Sequence, residues 1–153
     1  MNRMRIVRVS LVLAVLATAG GVQAQHINPC PQLPADAGLT WDVGGSASNQ
    51  LCRALRADGS EVFGMVIFDK PAFEPQRSDR AEAGQVGGRD VYWYKAELAQ
   101  KPGTQARETL LKLPDGRSMH VWLQAPSAAA LQSGFRLVQA MQVDASEERV
   151  AGQ

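Results

Sequence analysis

The sequence has few of the residues from which catalytic and metal sites are usually built. Of its 153 residues, two are histidine and two are cysteine. It contains no His-Glu-x-x-His, no P-loop, no Gly-x-Gly-x-x-Gly and no calcium-loop pattern. Gly44-Gly45-Ser46-Ala47-Ser48 comes nearest to a nucleophile elbow, but its last position is not glycine. Carboxylates are scattered, and no two are held together by spacing, so a paired-carboxylate site cannot be argued. No sign of charge dominates, with 16 basic against 15 acidic side chains and a net charge of +1. That balance excludes a strongly basic nucleic-acid binder, and no basic stripe alternates with aromatics. With 45% hydrophobic and 20% charged residues, the chain is also not disordered throughout.

What is present begins with an export signal. Arg3, Arg5 and Arg8 make a positive n-region, and Val9 to Ala19 an apolar h-region. Gly20 and Gly21 follow, and Val22-Gln23-Ala24 ends in the small residue that signal peptidase requires. Residues 1–24 are therefore expected to be a signal peptide, cleaved after Ala24. An uncleaved anchor is the rival reading, but the apolar run falls short of the ~20 residues that span a bilayer. His26-Ile27-Asn28-Pro29 before Cys30 is a poor lipobox, which argues against lipidation. Cleavage removes three arginines and no acid. It leaves 129 residues with 13 basic and 15 acidic side chains, a mildly acidic chain long enough for one core. The expected organisation is a signal peptide at 1–24, one domain at 25–143 and a flexible tail at 144–153. No stable membrane insertion is expected after cleavage, and the expected location is the periplasm or the medium.

Cys30 and Cys52 both survive cleavage, and an even pair in an oxidising compartment reads as one disulfide. Its expected role is to pin a Pro-rich arm (Pro29, Pro31, Pro34) to a sheet. A redox pair usually appears as Cys-x-x-Cys, and a metal site needs more ligands than lie nearby. A two-histidine zinc site would need His26 to reach His120. Neither metal nor cofactor is expected.

The mature chain reads mostly as strands. Leu39 to Val43 alternates apolar and polar residues. Gln50 to Ala57 and Ser60 to Asp69 flank Asp58-Gly59, a two-residue hairpin signal. That turn would set Arg56 opposite Glu61, Ala54 opposite Phe63 and Cys52 opposite Met65. A helix from Ser48 to Ala57 is the rival. Val62 to Phe68 is a continuous apolar run, as in a central strand buried on both faces. Lys70 to Arg89 lacks periodicity and reads as a long loop carrying Phe73. Asp90 to Leu98 is the clearest strand by composition. Arg107 to Leu113 and Ser118 to Ala125 flank Asp115-Gly116, a second hairpin. Counted as a two-residue turn, it sets Leu110 opposite Val121 and Thr109 opposite Trp122. Ser127 then caps a helix whose apolar stripe is Leu131, Phe135, Val138 and Met141. The expected class is α+β: a mostly antiparallel sheet of five or six strands with a C-terminal helix packed on one face.

His120 is the one candidate acid or base on a regular element, with Arg107, Glu108 or Asp90 as possible neighbours. The two-residue register sends Glu108 to the opposite face. A hydrogen-bonded strand histidine is the plainer reading of His120. Trp93, Tyr92, Tyr94 and Trp122 are read either as core or as a recognition surface, since Trp, Tyr and Arg dominate binding hot spots. The candidate binding residues are Trp122, His120, Arg107, Phe73 and Trp93.

Val62-Phe63-Gly64, Pro71-Ala72-Phe73, Val86-Gly87-Gly88 and Trp93-Tyr94, with Arg107-Glu108-Thr109-Leu110 and His120-Val121-Trp122, resemble a pattern in small exported bacterial proteins of unknown function. The resemblance spans about 60 residues. It implies export and a single domain, and it carries no activity and no catalytic residue. The expected function is an exported binding module that recognises or inhibits a protein of the bacterial envelope. A small hydrolase or lyase using His120, and a structural accessory of an envelope complex, are the alternatives.

Overall fold

In the computed structural model, which describes residues 30–70, 74–96 and 103–143, one antiparallel sheet of seven strands is followed by one helix. The strands are β1 Thr40–Ser46, β2 Asn49–Leu55, β3 Glu61–Phe68, β4 Arg80–Val86, β5 Arg89–Lys95, β6 Gln105–Lys112 and β7 Ser118–Ala125. Helix α1 is Ala128–Ala140. The spatial order is β1-β2-β3-β7-β6-β5-β4. The chain thus makes a three-strand meander, crosses to the far edge, and returns to the middle by a second meander. The expected class holds, with seven strands in place of five or six.

The extra strand is β4, which lies in the segment expected to be a loop. Its sequence, Arg-Ala-Glu-Ala-Gly-Gln-Val, has only one β-branched residue. It forms because β5 offers a long ladder, from Arg80 opposite Tyr94 to Val86 opposite Arg89. The signal peptide, the 144–153 tail and Phe73 lie outside the described residues.

Alternation along the strands divides the sheet into two faces. One carries Ala54, Phe63, Met65, Met119, Val121, Leu123 and Trp93, all fully buried. Burying each such large apolar side chain contributes roughly 1.5–3 kcal/mol. Helix α1 covers this face with Leu131 and Val138, and Phe135 stacks against Trp93 with ring centroids 5.0 Å apart. The Ser127 hydroxyl accepts from the Ala130 N–H and caps the helix. Gly134 lets the helix approach closely, since a Cβ there would meet the tip of Leu123. The rest of the face is covered by the N-terminal arm. Cys30 is bonded to Cys52 of β2, the Trp41 indole donates to the Pro31 carbonyl, and Gln32 pairs with Gln142.

Both hairpin turns differ from the expected geometry in the same way. In the first, the Arg56 N–H donates to the Ser60 carbonyl and the Gly59 N–H to the Arg56 carbonyl. In the second, Leu113 N–H donates to Arg117 and Gly116 N–H to Leu113. Each loop therefore has three residues, with only its glycine at positive φ (Gly59 +81°, Gly116 +88°). A two-residue type I′ turn would need its aspartate there too. In the first hairpin, Glu61 falls opposite Leu55 rather than Arg56, and a bulge then restores Ala54 opposite Phe63 and Cys52 opposite Met65. The second hairpin has no such bulge, so Leu110 meets His120 and Thr109 meets Val121. A one-residue slip exchanges the faces of every side chain on a strand. Thr109 and Arg107 thus lie on the helix-covered face, and Glu108 and Leu110 on the other.

Candidate functional site

The face away from the helix is built around Trp122 of β7. Its cross-strand neighbours are Gly64 on β3 and Glu108 on β6, and Glu108 pairs in turn with Tyr94 on β5. Gly64 has no side chain to hold the indole off. A Cβ at that position would fall against Cζ2, Cε2 and Nε1 of Trp122, so the ring rests on the β3 backbone. The indole N–H donates to the Glu61 carboxylate at 2.8 Å. Trp122 is thereby fixed by packing on one side and by a charged acceptor at its edge.

His120 lies beside it, with ring centroids 5.7 Å apart. Its Nε2 is 3.0 Å from Oε2 of Glu108, and each side chain is 22% exposed. The expected separation of these two residues is therefore corrected by the three-residue turn. The carboxylate can hold the ring orientation that a general base or a hydrogen-bonding recognition group requires. Glu108 borders two open depressions. One, of about 300 Å³, is also lined by Ala96, Ala106, Arg107, His120, Trp122, Leu123 and Gln124. The other, of about 650 Å³, has Asp79, Lys95, Thr104, Gln105 and Arg107 on its walls.

The aromatic face continues onto β5. Tyr92 is 48% exposed, and the Arg80 guanidinium lies 3.8 Å from its ring centroid. At the other end, where the chain leaves β3, Phe68 and Ser118 are buried.

The expected binding residues do not all converge here. Trp122 and His120 do. Trp93 is 1% exposed and sits under α1, so it is a core residue and not a surface anchor. Alternation on β5 separates it from Tyr92 and Tyr94 on the opposite face. Arg107 is bonded through Nε to both carboxylate oxygens of Glu82, at 3.0 and 3.1 Å, across the helix-covered side. Its guanidinium is thus engaged by Glu82, while the residue still lines the smaller depression beside His120. Glu61 and Gly64 belong to the site and are not among the candidate residues read from the sequence; Glu108 is named there as a possible neighbour of His120, but on the opposite face. The signal for Gly64 was a glycine inside an apolar strand, which marks close approach of another group. Among the described residues, no three His, Cys, Asp or Glu side chains gather as metal ligands.

No protein-family model matches the chain, no curated protein matches its sequence, and no solved structure matches its fold.

Proposed function

We propose that the chain is exported and works as a small binding module, recognising or inhibiting a protein partner in the bacterial envelope. The observation that carries this reading is the fixed position of Trp122. The indole rests on Gly64, donates to Glu61, and stands beside a histidine held by Glu108. Interface hot spots are commonly such aromatic anchors, held rigid before the partner arrives. Half-exposed Tyr92 extends the aromatic surface. Export is supported by the signal-peptide pattern of residues 1–24 and by the Cys30–Cys52 disulfide. Among the described residues no helix is long and apolar enough to cross a membrane.

Capture from envelope extract tests the reading. The parent protein is expected to retain a defined partner, and Trp122→Ala to lose it while remaining folded. Equal retention by both proteins overturns the role of this face.

A second reading is favoured by the His120–Glu108 contact, because an oriented imidazole can act as a general base on water. Ester, phosphate and glycoside substrates turned over by the parent but not by His120→Ala would support a hydrolase. Equal turnover by both would remove it.

A further inference from the structure

The two edges of the sheet are guarded differently. At one edge, β4 carries Arg80 and Glu82, has a bulge between them, and is tied down at its end by the Gly87 N–H donating to the Val138 carbonyl. Charges and bulges are the usual protection of an edge strand. At the other edge, β1 has neither lysine, arginine nor proline. Its one charged residue, Asp42, is already ion-paired with Arg53 of β2. Val43 is 46% exposed, and it and Tyr92 are the exposed large hydrophobics among the described residues.

The hydrogen-bonding parity of β1 follows from the first hairpin. The Arg56 N–H points to β3, so Ala54, Cys52 and Gln50 also turn their backbone groups to β3. Leu55, Arg53, Leu51 and Asn49 turn theirs to β1, where they meet Thr40, Asp42, Gly44 and Ser46. The N–H and C=O groups of Trp41 and Val43 therefore point outward, and no described residue pairs with that side of the strand.

We propose that β1 is a self-association edge that pairs antiparallel with β1 of a second copy about a two-fold axis at Val43. The choice of occupant rests on the register. Val43 is the midpoint of Thr40–Ser46, so this centring uses the whole strand. It sets Val43 against Val43, whose outward groups exchange both backbone hydrogen bonds. It sets Asp42 opposite Gly44, so no carboxylates confront one another. Centring on Asp42 would oppose two carboxylates directly, which is destabilising. An isologous contact of this kind closes at two copies. One strand pair buries less than the ~1,200–2,000 Å² of a stable standard interface, so the dimer is weak and concentration-dependent.

Sedimentation of the purified protein over a concentration series tests this. The weight-average mass is expected to rise from monomer towards dimer and to stop there. Val43→Pro removes an outward N–H that β2 does not use, at an edge position where proline is tolerated. It is expected to keep the parent circular dichroism and remain monomeric throughout. Should Val43→Pro misfold, Val43→Lys serves the same purpose by placing like charges opposite each other. A parent that is monomeric at every concentration overturns the proposal. So does growth beyond two copies, or a folded Val43→Pro or Val43→Lys that dimerises like the parent.

Discussion

His120 and Glu108 meet across β7 and β6 at 3.0 Å, although they are diagonal neighbours and not a direct cross-strand pair. Glu108 stands directly opposite Trp122, and His120 directly opposite Leu110. The contact therefore runs along the face and links the aromatic anchor to its polar rim. Replacing Glu108 by Ala is expected to lower stability by about 1 kcal/mol, the usual net value of a partly buried hydrogen bond. Urea unfolding measures this. Glu108→Gln, which keeps an acceptor, is expected to lose less. An unchanged midpoint for Glu108→Ala would show that the contact contributes nothing to stability.

Gly64 and Gly134 both sit where a Cβ would collide, but with different neighbours. At Gly64 the obstacle is the rigid indole of Trp122, whose edge is bonded to Glu61. Gly64→Ala is expected to destabilise by about 1–3 kcal/mol, as overpacking does. In a Trp122→Ala background the same change is expected to cost far less, because contacting residues are not additive. At Gly134 the obstacle is the end of the flexible Leu123 side chain, and alanine gains roughly 1 kcal/mol of helix propensity. Gly134→Ala is expected to be nearly neutral. Denaturation midpoints of the parent and the four variants decide whether the two glycines differ in this way.

The Cys30–Cys52 bond closes a sequence separation of 22 residues. On the chain-entropy model such a loop contributes about 3 kcal/mol. Reduction, or replacement of both cysteines by serine, is expected to lower the unfolding midpoint accordingly. It is also expected to free the arm, so the Trp41–Pro31 and Gln32–Gln142 hydrogen bonds should lose protection from exchange before the central strands do. Uniform loss of protection would contradict a staple confined to the arm.

The two hairpin aspartates are both held below the ordinary aspartate value. At Asp58 the main cause is the Ser60 hydroxyl, followed by the Ser60 N–H. At Asp115 desolvation acts upward, but the Arg117 N–H and guanidinium together outweigh it. A carboxylate with a lowered folded-state value stabilises the fold above its unfolded value, and that stability is lost as pH falls through the folded one. Acid is therefore expected to loosen both turns. Carboxyl NMR titration should give midpoints below the usual aspartate range for Asp58 and Asp115, and ordinary midpoints would contradict these turn contacts.

Those same turns decide how much of the molecule could be read from the sequence. Asp-Gly correctly marked both hairpins, and the apolar run of β3 correctly marked a central strand. Loop length was not legible, because Ala57-Asp58-Gly59 and Pro114-Asp115-Gly116 use aspartate at negative φ. In β2–β3 the bulge cancelled that error and left Cys52 opposite Met65. In β6–β7 nothing cancels it, so the two-residue register puts Glu108 on the wrong face and aims Arg107 to the side of Trp122, whereas its guanidinium turns to Glu82. Strand β4 was hidden because its partner supplies the bulk: Gly84 leaves the space that the Trp93 ring fills. The anchor itself was legible only as Trp122, since the support from Gly64 and Glu61 comes from 58 and 61 positions away.

On the proposed function, the Trp122–His120 face, and not the helix-covered side, meets a partner. Site-specific photo-crosslinking in the envelope tests it most directly. A photoreactive residue at Tyr92 or Gln124, both on this face, is compared with one at exposed Arg136 of α1. The same discrete protein adduct is expected from Tyr92 and Gln124, lost when Trp122→Ala is added, with no such adduct from Arg136. Adducts formed equally from Arg136, or unchanged by Trp122→Ala, would contradict it.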